Sequence, residues 1–267
     1  MLKKLMSYEF RATGRYFLPL YAVLLALAAV NRLFFSLNFE YVEIPQVILT
    51  LGMVALIVGV SVMTLIVTIQ RFYKNLLTDE GYLSFTLPVK PSTHINCKLL
   101  VSLIWDFVSV IVILLSVFVL FVDGELLAAL FSSETYQMFV KLFEGQTGSK
   151  VILIVLFLLL LVVASLYFTL KIYSAISIGS RSSKHKIVLG VCLYFGFSIC
   201  EEVLLSIVIL CTTALFRQNP GWIQFFADNG LLATQLVLLA LLVYYALMGI
   251  VYYTVTHHIL SKHLNLE

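Results

Sequence analysis

Glu201 and Glu202 stand side by side within a long apolar run, and this adjacent carboxylate pair is the most chemically suggestive feature of the sequence. In lipid each ionised carboxylate costs on the order of 2.5–3.5 kcal/mol. Neighbouring helical residues point about 100° apart, so at least one of the two should face other helices. Protonation offers a way out of the burial cost. Asp106, beside Trp105, and Lys171 are the other ionisable groups inside apolar runs. Lys171 lies near the inner end of its run and is expected to snorkel to the surface. Asp106, Glu201 and Glu202 keep two readings, as polar groups that serve packing or as the lining of a possible translocation path.

Enzymatic and metal chemistry find less support. The likeness to CAAX-processing membrane proteases, with their Glu-Glu-x-x-x-Arg motif, stops at the Glu pair, because the position four after Glu202 is Ser206. All five histidines (His94, His185, His257, His258, His263) fall at the ends of apolar runs, so no metal centre is expected inside a bundle. The last three could gather at a metal, but interfacial snorkelling is the commoner role. Cys97, Cys192, Cys200 and Cys211 show no C-x-x-C spacing and are expected to be small core residues, without a disulfide framework or zinc site. Residues 145–150, GQTGSK, lack the G-x-x-x-x-G-K-[ST] order of a phosphate loop and follow no strand. No cofactor is expected in this chain.

The elements that position these residues follow from composition. The 267 residues are 61% hydrophobic and 12% charged, with a mean hydropathy of +1.04, far from a soluble domain. About 20 apolar residues cross a hydrocarbon core, and the polar breaks delimit six such runs: 17–37, 46–69, 99–122, 151–178, 187–215 and 231–255. Continuous rather than alternating hydrophobicity makes them helices. The expected fold is an all-α membrane protein with six transmembrane helices. Residues 1–16 form an amphipathic interfacial helix with Gly14 as a bend, 17–256 the transmembrane domain, and 257–267 a tail. Ala26-Leu27-Ala28 resembles a signal-cleavage site, but the apolar run continues to Phe35, so an uncleaved anchor is expected.

Charge orients the chain. With the N-terminus in the cytoplasm, only Arg32, Lys141, Lys150 and Arg217 of the 17 Lys and Arg lie outside, which predicts both termini inside. No aromatic-interleaved basic patch points to nucleic acid. On the outer side, residues 126–143 group apolar side chains on one helical face and predict an interfacial helix. Residues 216–230 bracket Trp222, Phe225 and Phe226 with turn signals and predict a short hairpin in the outer leaflet.

The remaining feature is the polar, Pro-punctuated segment 70–98 between the second and third runs. From Asp79 it reads DEGYLSFTLPVKPSTHINCKLL. Glu80, Gly81, Leu87, Pro88, Ser92, Thr93 and Lys98 resemble the cytoplasmic loop between the second and third spans of type-2 ABC transporter permeases, in a variant similar to those of Gram-positive bacteria. The Arg usual after the polar turn is absent, and His94 stands nearest its place. The resemblance implies two six-span permease subunits, identical or homologous, in a bacterial plasma membrane, driven by a separate ABC ATP-binding subunit. The chain itself would catalyse nothing.

Such a loop suits that task. In it Leu76, Leu77, Tyr82, Leu83 and Phe85 offer apolar docking area, Asp79 and Glu80 polar register, and Pro88 and Pro91 a stiff exit, with Tyr73, Gly81 and Leu87 in the same coupling segment. The basic loop 179–186, with Arg181 and Lys184, is a second candidate contact. Two other readings stand beside this one: an ATP-independent ion- or proton-coupled transporter or channel that uses the intramembrane carboxylates, and a non-transporting scaffold or sensor.

Overall fold

The computed structural model describes residues 2–36, 43–78, 81–82, 86, 89–143, 147–182 and 185–262. The helices among them are α1 (Leu2–Ser36), α2 (Glu43–Leu77), α3 (Pro91–Phe121), α4 (Gly124–Leu130), α5 (Ser133–Phe143), α6 (Thr147–Gly179), α7 (Lys186–Gln218), α8 (Pro220–Asp228) and α9 (Gly230–Lys262). Six of them (α1, α2, α3, α6, α7 and α9) are long and apolar enough to cross a membrane, as the hydropathy predicts. Their ends run further than the predicted spans. A helix of 31–35 residues is roughly 46–53 Å long at about 1.5 Å per residue, well beyond a hydrocarbon core of about 30 Å. The helical hydrogen-bond ladder therefore continues into polar sequence.

Three boundaries change as a result. α1 passes through Gly14 and Pro19 without interruption, so the predicted interfacial helix and first span are one element. Most of the polar segment 70–98 is absorbed into the ends of α2 and α3. Residues 220–228 form a helix with Pro220 in its first turn rather than a bare hairpin. On the same principle of local hydrogen bonding, the helix predicted over 126–143 divides into α4 and α5. Asp123 Oδ1 caps α4 at the Leu126 N–H (2.6 Å), and Ser132 Oγ accepts from the Thr135 N–H (3.2 Å) to start α5.

The chain forms two compact units, Met1–Arg71 with Thr93–Leu142, and Phe72–Ser92 with Phe143–Glu267. In the first, helical spacing builds the core. Phe17, Tyr21, Leu24 and Ala28 of α1 meet Met53, Val60 and Val67 of α2 and Val101, Trp105 and Leu120 of α3. Polar groups on these faces are paired: Glu9 with Lys98 at 2.7 Å, Thr13 with Trp105 Nε1 at 2.8 Å, and Tyr21 with Ser109 at 2.6 Å.

In the second unit α6 packs against both α9 and α7. At its C-terminal end the backbones of α6 and α7 come into direct contact. A Cβ added to Gly179 would lie 2.7 Å from the Gly190 amide nitrogen and 2.8 Å from the Lys186 carbonyl oxygen. Both obstacles are backbone and cannot swing aside. Gly179→Ala is therefore expected to cost about 1–3 kcal/mol through overpacking. Gly196→Ala, where an added methyl meets nothing within 4 Å, should be neutral or slightly stabilising. Thermal unfolding of the two variants in detergent checks the contrast.

Candidate functional site

The chemistry of the second unit gathers around Glu201, the carboxylate of the pair that α7 turns inward. Tyr167 and Lys171 are four residues apart on α6, so they share a face. Lys171 Nζ and the Tyr167 hydroxyl both donate to Glu201 Oε2 at 2.5 Å. From α9 the Tyr252 hydroxyl donates to the other oxygen, Oε1. The ammonium also stands 5.2 Å from the ring centre of Tyr194 and 5.8 Å from that of Tyr167, where the electron-rich faces favour a cation. Tyr245, on Tyr167, and Phe197, on Tyr252, extend the aromatic wall.

This arrangement makes charge tolerable inside the bundle. An isolated ionised group there would be expensive, whereas a pair with its remaining hydrogen-bonding capacity satisfied recovers much of the cost. Because each carboxylate oxygen already accepts from a donor on another helix, Glu201 is occupied as a hub for α6, α7 and α9 rather than free as a base. Lys171 is only 4% exposed, so the predicted snorkelling does not occur. Its nearest opposite charge lies inward, on α7, and the ammonium turns to it.

The other candidate residues separate. Glu202 is exposed on α7, and its carboxylate has no partner among the described residues. Asp106 belongs to the other unit, half-buried on α3, where it interacts electrostatically with Tyr21. Cys97 is buried, but Cys192, Cys200 and Cys211 are exposed on α7. This corrects their assignment as core residues; a thiol behaves as a small apolar group and tolerates the outer surface of a membrane helix. No group of three His, Cys, Asp or Glu is placed to hold a metal among the described residues.

In the loop segment, Leu76 and Leu77 are buried and Tyr73 is half-buried. The docking area predicted from Leu76 and Leu77 is thus spent inside the chain, because the last turns of α2 pack as core. Phe72, whose place beside a polar break gives no sign of a core role, is fully buried and stacks on Tyr173 of α6, with ring centres 3.9 Å apart and planes 10° from parallel. Gly81 is buried, its N–H bonded to the Thr78 carbonyl at 2.7 Å, and Tyr82 is 67% exposed. Arg181 is exposed. Asp79, Glu80, Leu83, Phe85, Leu87, Pro88 and Lys184 lie outside the described residues. Ser92 and Thr93 are half-buried at the start of α3, and Lys98 is committed to Glu9.

No family model matches the chain, and neither does any curated protein or solved structure. The fold and site define a multi-pass α-helical membrane protein with a transporter-like set of six apolar helices and a buried ion pair among three of them.

Removing one member of that pair strands the other. Lys171→Met should destabilise by about 3–5 kcal/mol, and adding Glu201→Gln should recover a large part, since a neutral amide oxygen still accepts from a tyrosine hydroxyl. Melting temperatures of the two single variants and the double variant in detergent measure the coupling.

Proposed function

We propose that this chain is the membrane subunit of an ATP-driven exporter of the type-2 ABC permease kind. It would work as a pair of permease subunits with separate ATP-binding subunits that carry the ATP and Mg. The observation that carries this reading is the construction of the last turns of α2 and of the described residues just beyond them. Its stem is held rigidly by the stacked Phe72 and Tyr173 and by buried Leu76 and Leu77, while Tyr82 projects into the open. A stiff stem with an aromatic tip suits an element that receives force from another protein. Tyr173 lies two residues from Lys171, so displacement of the stem is delivered to the turn of α6 that holds Glu201.

The basic residues support a cytoplasmic placement of this segment and of both termini, and hence a multi-pass location in a bacterial plasma membrane. The contact surface passes from the two leucines to Tyr82, with exposed Arg181 as a second contact.

Purification of the tagged chain from its native membranes should bring with it an ATP-hydrolysing subunit. Tyr82→Ala, which removes an exposed aromatic anchor, should weaken that association on the order of tenfold while the membrane subunit retains its melting temperature. Absence of any such subunit, or an association indifferent to Tyr82→Ala, contradicts the proposal. Transport that persists without ATP and is lost in Glu202→Gln would favour the ion-coupled alternative.

A further inference from the structure

Glu202 is the carboxylate that the buried site leaves over. It lies at the midpoint of α7, sixteen positions from each end, so in a hydrocarbon core about 30 Å thick centred on this helix an interface is about 15 Å away, beyond the reach of its short side chain. It is exposed, and nothing among the described residues pairs with it. Lys171 is already committed to Glu201, and the other Lys and Arg of α6, α7 and α9 (Lys150, Lys186, Arg217 and Lys262) sit at or near helix ends. An ionised Glu202 would draw its compensating charge from outside these helices.

The surface around it is built to match. Positions 195, 198, 202, 206, 209 and 213 fall on one face of α7, and four of them are polar: Ser198, Glu202, Ser206 and Thr213. The hydroxyl protons of this face are spent on the helix itself. Ser198 donates to the Tyr194 carbonyl (3.0 Å), Ser206 to the Glu202 carbonyl (2.7 Å) and Thr213 to the Leu210 carbonyl (2.9 Å). What Glu202, Ser206 and Thr213 present outward are a carboxylate and hydroxyl lone pairs, a stripe of acceptors interspersed with Phe195 and Ile209, both exposed. Such a stripe favours positive charge over an anion, while its apolar members suit hydrocarbon.

We infer that the Glu202 face of α7 binds an amphipathic organic cation, which is the cargo class of the transport reading. The cation's charge meets Glu202 and its apolar body lies on Phe195 and Ile209. This purpose rests on that reading, but binding to the isolated membrane chain needs no ATPase. An intact ATPase complex without cation binding would sink this inference alone, and cation binding without any ATPase would sink the exporter reading alone.

The test uses the whole chain in lipid nanodiscs with tetraphenylphosphonium as the probe and tetraphenylborate as its anionic counterpart of like shape. Equilibrium dialysis should show saturable binding of the cation. Glu202→Gln should weaken it at least tenfold, Glu202→Asp should largely keep it, and tetraphenylborate should not compete. Non-saturable uptake, equal binding by Glu202→Gln, or competition by the anion overturns the inference. A second measurement does not depend on altering Glu202. With the four cysteines replaced by alanine, Ser206→Cys should react with a cationic methanethiosulfonate about tenfold faster than with an anionic one, and tetraphenylphosphonium should slow the reaction. Equal rates, or no protection, overturn it.

Discussion

A lysine and a glutamate on neighbouring helices, each costly alone in hydrocarbon, set the terms for the second unit. Once Lys171 and Glu201 meet, α6 and α7 are held in one rotational setting, because turning either helix by a single residue separates the charges. Tyr252 brings α9 to the same carboxylate, and tyrosine and phenylalanine rings pack around it, leaving Glu201 buried. The close approach of Gly179 to Gly190 lies on the same pair of helices and fixes their separation at one end. Ordinary apolar packing between membrane helices has little directional preference, since lipid competes for the same surfaces. Buried polar contacts supply the direction.

The first unit obeys the same constraint with different residues. Glu9 and Lys98 pair where α1 meets α3, and Trp105 places its indole N–H on Thr13 while its ring stacks on Phe17. Further along, Ser109 joins Tyr21 to Thr64. In both units an ion pair with a buried lysine stands beside an aromatic cluster, so each group of three spanning helices carries its own means of specifying register.

How much of this can be read from the sequence depends on the range of the interaction. The six spans are legible because twenty consecutive apolar residues have few other destinations. Their ends are not, because helical hydrogen bonding proceeds past the lipid boundary, which is how residues 2–16 merge with the first span and residues 70–77 with the second. The shared face of Tyr167 and Lys171 follows from a spacing of four. That their partner is Glu201, and that Tyr252 joins them, does not, since periodicity defines a face without naming the neighbour. The same limit governs the adjacent glutamates: the 100° offset implies that one turns inward, and only packing decides that it is Glu201. Leu76 and Leu77 show the ambiguity of apolar residues beside a polar break, which serve the chain's own core as readily as a partner's groove.

These pieces make a molecule in which a braced stem leads to a buried ion pair, and the residue beside that pair's glutamate faces outward. The decisive measurement is uptake of tetraphenylphosphonium into inside-out membrane vesicles that contain the chain together with any ATP-hydrolysing protein that co-purifies with it. An ATP-driven exporter of organic cations accumulates the probe only while ATP is hydrolysed and continues to do so after collapse of the proton gradient. Accumulation that follows an imposed proton gradient and is indifferent to ATP would contradict that mechanism.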